Sequence, residues 1–153
     1  MRLTLHSDLA FRTLIFLAAA GKEGGAIPQI AETYGVSENH LRKVVNHLAQ
    51  AGWVESTRGR GGGLRLRPAP AEISIGAVMR EMEADFALVD CLGAEPERCV
   101  ISGFCGLQRI FGEALQAWFQ VLDRYTLADA MDGSRGLPKL LGLDEPARAS
   151  KGS

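Results

Sequence analysis

The sequence predicts a mostly α fold with a small β wing: a winged helix-turn-helix followed by a long C-terminal helix. Three observations carry this. Two helix-length segments meet at a turn centred on Gly35, and the second has a polar N-terminal end. The run Trp53-Val54-Glu55-Ser56-Thr57 and the strictly alternating Leu64-Arg65-Leu66-Arg67 flank the loop Arg58-Gly59-Arg60-Gly61-Gly62-Gly63, which is the pattern of a β-hairpin. Further on, Leu107, Ile110, Phe111, Leu115, Trp118, Phe119 and Leu122 form one broad apolar helical face.

Taken in order, Ser7 is the expected N-cap of a first helix that runs to about Ala20, with Gly21 as its stop. Gly24 and Gly25 make a loop. Pro28 suits the start of a short second helix and Gly35 its end. Ser37 is placed to cap a third helix, in which Leu41, Val44, Val45 and Leu48 recur at i, i+3, i+4 and i+7 and form a buried stripe. Its other face carries Asn39, His40, Arg42, Lys43, Asn46 and His47. The hairpin follows, closed by Pro68 and Pro70. Ser74 is the expected cap of a helix bearing Ile75, Val78, Met79 and Met82. Residues 1–84 thus form the winged unit. Residues 85–106 form a loop holding all the cysteines, with Gly93, Pro96 and Gly103 among them. Residues 107–131 form the long helix, with a restarted turn signalled by Thr126 and Asp129. The remainder, 132–153, is rich in Gly, Pro, Ser and Ala and reads as a loosely ordered tail.

Composition bounds the function. With 153 residues and 46% apolar content, the chain is the size of one domain with a real core. The net charge of −1 hides an uneven distribution. Between Ser37 and Arg67 the bases Arg42, Lys43, Arg58, Arg60, Arg65 and Arg67 outnumber Glu38 and Glu55. From Glu81 to Glu97 every charge is acidic. A basic region beside an acidic one is a localised electrostatic footprint rather than a general affinity for polyanions. Three cysteines is an odd count and too sparse for a secreted disulfide scaffold. Asp8 and Arg12 interrupt the apolar run that a signal peptide would need, so the cytoplasm is the expected location.

The polar face of the third helix is rich in groups that read base edges and phosphates. Followed directly by a hairpin, this arrangement points to double-stranded DNA, with the third helix in the major groove. Ser37, Asn39, His40 and Lys43 lie toward its N-terminal end and are the candidates for contact there. Arg58 and Arg60 are the candidates on the wing, where glycines allow close approach and arginine suits a narrow minor groove. The Gly-rich loop is not a P-loop: it lacks the Lys-Ser/Thr ending and leads into a strand, not a helix.

Cys91, Cys99 and Cys105 follow a C-x7-C-x5-C pattern. Thiolates are soft donors suited to zinc or to iron–sulfur clusters. Structural zinc sites favour closely spaced cysteine pairs, and none occurs here, so the wide spacing better suits a cluster. Burial of the cysteines as small hydrophobes remains open. A four-iron cluster needs a fourth ligand. Asp8 is a candidate, although on local grounds a helix N-terminal acid paired i,i+4 with Arg12 accounts for it better.

Over residues 1 to about 131 the chain resembles the winged-helix iron–sulfur transcriptional regulators. The likeness rests on the opening Met-Arg-Leu-Thr with Ser7-Asp8-Leu9-Ala10-Phe11-Arg12, on Ala51-Gly52-Trp53-Val54-Glu55-Ser56, on the wing loop and on the three-cysteine loop. It implies a homodimer built on the long helix, which would then be a dimerisation helix, and a cluster-bound form that represses at a roughly palindromic operator. The cluster-assembly branch of this family carries a histidine three residues after its third cysteine. Gln108 stands there, which argues against that branch. The nitric-oxide-sensing branch resembles this chain in placing an aspartate in the first helix. The resemblance therefore implies a 4Fe-4S cluster on Cys91, Cys99, Cys105 and a partner subunit's Asp8, with nitric oxide as the signal and detoxification genes as targets. A 2Fe-2S redox sensor stays open as an alternative, as does, more remotely, an electron-transfer protein or a zinc-stabilised regulator. No catalytic role is implied.

Overall fold

Thr4, rather than the expected Ser7, caps the first helix, α1 (Leu5–Ala20). Both residues are capping types, and tertiary contact decides between them. The Thr4 hydroxyl accepts from the Ser7 N–H at 3.2 Å, and Ser7 is itself buried inside the first turn. The computed structural model describes residues 3–57, 63–93, 95 and 99–143. After α1 come α2 (Ile27–Tyr34), α3 (Glu38–Gln50), β1 (Val54–Ser56), β2 (Leu64–Leu66), α4 (Ile75–Met82), α5 (Gly106–Leu122), α6 (Leu127–Met131) and α7 (Leu137–Leu140).

α1 is the central element. Leu9, Ala10, Leu14, Phe16 and Leu17 are all buried, against Ile30 of α2, Leu41, Val44 and Leu48 of α3, Val78 of α4 and Leu127 of α6. A helix enclosed on most sides has to be apolar around most of its circumference, which is how this one reads. The exceptions are informative: Thr13 satisfies its buried hydroxyl on the Leu9 carbonyl at 2.7 Å, while Asp8 and Arg12 sit on the open side.

α2 ends at Gly35, whose φ of 63° is left-handed and favours glycine. Ser37 occupies the N-cap position of α3, but its hydroxyl makes no capping hydrogen bond. The predicted stripe Leu41, Val44, Val45 and Leu48 is buried. β1 and β2 pair antiparallel, with Val54 opposite Leu66 and Ser56 opposite Leu64. Backbone bonds of 3.0 and 2.7 Å between Gly25 and Leu64 pin this hairpin to the loop after α1. Ser74 caps α4 as expected, accepting from the Ala77 N–H.

The chain after α5 turns back onto the winged unit. Leu127 N–H donates to the Ile73 carbonyl at 2.8 Å, and Ile75 N–H to that of Tyr125 at 3.0 Å. The restart at Thr126 is as read from the sequence, with its hydroxyl accepting from Asp129 N–H. The loosely ordered tail expected from Gly133 differs from what is observed up to Leu143. α7 forms, Leu141 is buried, and Leu137 and Leu143 pack on the core. Leucines spaced through a Gly- and Pro-containing stretch find an apolar surface on α1 that composition alone does not reveal. Residues 144–153 lie outside the described residues. By contrast, α5 has no fully buried side chain: Leu107, Ile110 and Val121 are 57%, 49% and 45% exposed. No helix among the described residues is long and apolar enough to cross a membrane.

Candidate DNA interface and cysteine loop

The buried stripe of α3 turns the opposite face outward. Ser37, Asn39 and Lys43 are exposed and His40 is half-buried, so all of the candidates on α3 lie on or beside one open surface. Arg42 shares that surface but is engaged by Glu38 at 3.1 Å, one turn away. Among the described residues no carboxylate pairs with Lys43, which leaves its ammonium available to a phosphate. The hairpin stands beside this face. Thr57 N–H donates to the Gly63 carbonyl at 2.9 Å, closing the base of the wing. Arg58 and Arg60 lie outside the described residues.

His47 departs from the polar face on which its sequence position puts it. Its Nδ1 is 3.0 Å from His6 Nε2 on α1, and its Nε2 is 3.2 Å from Glu81 Oε1 on α4. Burial, and then the neighbouring His47 and His40 rings, push His6 below the ordinary histidine range, with Glu83 opposing them. These long-range bonds link α1, α3 and α4, and helical periodicity carries no signal of them.

Asp8 pairs with Arg12 at 2.8 Å, as the i,i+4 spacing suggests. Arg12 lies over the Tyr34 ring, 5.8 Å from its centroid, and the Tyr34 hydroxyl donates to the Arg12 carbonyl at 3.0 Å. Asp8 is thereby joined to α2, the first helix of the helix-turn-helix.

Cys91 is buried in a 3-10 turn, Asp90–Leu92. Cys99 and Cys105 are half-exposed, and Cys105 occupies the N-cap position of α5. All three are free thiols. Burial raises the Cys91 thiol above its ordinary range, and the proximity of Cys99, then of Cys105, adds to the rise. Among the described residues no group of three or more His, Cys, Asp or Glu side chains is placed to hold a metal ion. The soft donor set suits iron and sulfide. Gln108 closes the loop. Its Nε2 donates to the Cys91 carbonyl at 2.9 Å, and its Oε1 accepts from Gly103 N–H at 2.9 Å. The sequence marks Gln108 only as the absence of a histidine; its part in holding the loop emerges from the fold. Val100 and Phe104, between Cys99 and Cys105, are each 98% exposed.

The Rrf2 family model, described as an iron-dependent transcriptional regulator, matches residues 3–133. The chain belongs to the Rrf2 family. This Rrf2 protein is 49% identical over 146 residues to the HTH-type transcriptional regulator NsrR of Bacillus subtilis (strain 168), covering 95% of this chain and all of the relative. Among solved structures it is similar to T. potens IscR, with a TM-score of 0.71 and 25% identity over 90% of each chain. It is also similar to CymR, the global cysteine regulator of B. subtilis, with a TM-score of 0.70 and 28% identity over 85% of this chain and 95% of that one. These likenesses bear out the winged-helix fold and the resemblance to the NsrR-named regulators of the family. The relatives are named transcriptional regulators, not enzymes, and this Rrf2 protein is a DNA-binding transcriptional regulator.

Proposed function

We propose that this Rrf2 protein is a homodimeric repressor whose hold on operator DNA is set by an iron–sulfur cluster, 4Fe-4S, and relieved by nitric oxide. The observation that carries it is the cysteine loop: a buried Cys91 whose thiolate is disfavoured by burial and by the nearby Cys99 and Cys105, with the three soft donors supplied by one segment tied by Gln108. Three thiolates so placed repel one another unless a cationic group neutralises them. Cys91, Cys99 and Cys105 would hold the cluster, and Gln108 would keep their loop closed. When bound, the cluster supplies an iron site at which nitric oxide can react.

Asp8 is the proposed fourth ligand, contributed by a second copy of the chain. Within one chain Asp8 is engaged by Arg12 on the open side of α1, where a second copy can reach it. A carboxylate is a hard donor on an otherwise sulfur-bound site and is the ligand most easily displaced. Once released, Asp8 has Arg12 beside it as a ready partner, and Arg12 touches α2 through Tyr34. Ser37, Asn39, His40 and Lys43 would enter the major groove, and Arg58 and Arg60 the minor groove. The apolar residues exposed on α5 are the proposed dimer seam.

The test is anaerobic purification followed by iron, sulfide and intact-mass analysis, with an operator selected from random duplex by the purified protein. Four irons and four sulfides per chain, lost readily in Asp8→Ala, with operator release on nitric oxide addition, are expected. Two irons per cluster would favour the redox-sensing alternative. Colourless protein with neither iron nor labile sulfide overturns the cluster, and an operator affinity unmoved by nitric oxide overturns the signal.

A further inference from the structure

We propose that His47 is the positioning residue that couples the cluster's ligand-bearing segments to the DNA-reading helix, an inference that rests on the switching function proposed above. The side chain belongs to α3, the helix expected in the major groove, but it bonds elsewhere. Its Nδ1 meets His6 Nε2 at 3.0 Å and its Nε2 meets Glu81 Oε1 at 3.2 Å. His6 lies in the same first turns of α1 as Asp8. Glu81 lies in the last turn of α4, just before the segment that carries Cys91. The helix that bears Asp8 and the helix that leads into the cysteine loop therefore converge on one imidazole of the reading helix.

The polarity of the chain is consistent. The Glu81 carboxylate is an acceptor, so His47 Nε2–H donates to it. With the ring neutral, Nδ1 then accepts from His6 Nε2–H. The His6 and His47 rings also lie 5.3 Å apart between centroids. The buried part of the α1–α3 contact is aliphatic, with Leu9, Ala10, Leu41, Val44 and Leu48 in one core cluster. Such packing is non-directional, whereas a hydrogen bond through a rigid ring fixes distance and angle. A displacement of the α1 N-terminus on loss of the Asp8 ligand would thus be passed to α3 through His47. Stability should depend little on the chain: the His47 and Glu81 side chains are 33% and 51% exposed, a setting in which ion pairs contribute little. Allosteric couplings of ordinary size correspond to about 5–150-fold in affinity, within reach of one such relay.

The test compares the parent, His47→Leu, His47→Gln, His6→Leu and the His6→Leu/His47→Leu double variant. Each is prepared anaerobically, checked for iron content and thermal unfolding, and titrated with a duplex selected by the parent. The quantity read is the ratio of dissociation constants for cluster-free and cluster-loaded protein. His47→Leu is expected to keep parental iron content and to bring this ratio down at least five-fold. His6→Leu should do the same, and the double variant no more. His47→Gln, which offers both a donor and an acceptor, should restore most of the ratio. A ratio unchanged in His47→Leu overturns the proposal, as does an equal loss of affinity in both states, which would mark a plain structural or phosphate-contact role. If the parent itself binds equally with and without its cluster, the switching function falls and the coupling with it. That outcome is read on the parent alone and is distinct from failure of the relay.

Discussion

Glu83 Oε2 accepts from both the backbone N–H and the hydroxyl of Thr4, at 2.9 and 3.1 Å, so the residue that ends α4 also holds the cap of α1. Glu83 is buried. Burial by itself would raise its pKa, but the Thr4 N–H and the Ser7 and Thr4 hydroxyls together outweigh it, and the carboxyl sits below the ordinary value of 4.5. The unfolded chain therefore binds this proton more readily than the folded one. The stabilisation is present above 4.5 and is lost as pH falls through the lower folded value. Glu83→Gln should cost about 1–3 kcal/mol at neutral pH in urea unfolding. The gap between parent and variant should close on acidification below 4.5; a gap independent of pH would contradict this assignment.

Arg80 grips Asp123 with two nitrogens, at 2.6 and 2.8 Å, and its guanidinium lies 4.1 Å above the Phe119 ring. This joins the winged unit to the end of α5. Gly76 leaves the space for it, because a Cβ there would collide with the Asp123 carboxylate. Gly76→Ala is expected to destabilise by about 1–3 kcal/mol through this clash. In an Asp123→Ala background the same change should cost much less, giving a clear interaction energy in a double-mutant cycle. Additive effects would mean that Gly76 is constrained by something else.

On the proposed reading face, Lys43 and Asn39 should fail differently. Lys43→Ala is expected to weaken binding to all duplexes alike and to reduce the salt slope by about one unit. Asn39→Ala should leave the salt slope unchanged, cost about 1–3 kcal/mol and relax preference at one base pair. Titrations over a salt series with the selected duplex and point variants of it separate the two outcomes.

Ile110 is half-exposed on α5, and no α5 side chain is buried within the chain. Ile110→Asp should therefore disturb assembly more than folding. Sedimentation of the variant should show monomer where the parent is dimeric, with a melting temperature close to that of monomeric parent. A variant that stays dimeric would move the seam away from this face.

Short-range pattern made much of the fold legible. The Leu41-Val44-Val45-Leu48 stripe, the left-handed turn at Gly35, the Ser74 cap and the Thr126 restart all rest on the period of the helix or the stereochemistry of one residue, which neighbours in sequence determine. The cysteines could be located the same way, because soft donors crowded into one loop are conspicuous in any order of reading.

Choices among chemically equivalent residues were left to packing. Thr4 rather than Ser7 became the cap because Glu83, remote in sequence, closes on it. His47 left the polar face because His6 and Glu81 reach it from two other helices. Gln108 became the tie of the cysteine loop, and Leu141 found a place on the core. Hydrogen bonds and burial between segments far apart along the chain depend on how helices cross. That crossing is set by the summed packing of the core, which no local period encodes.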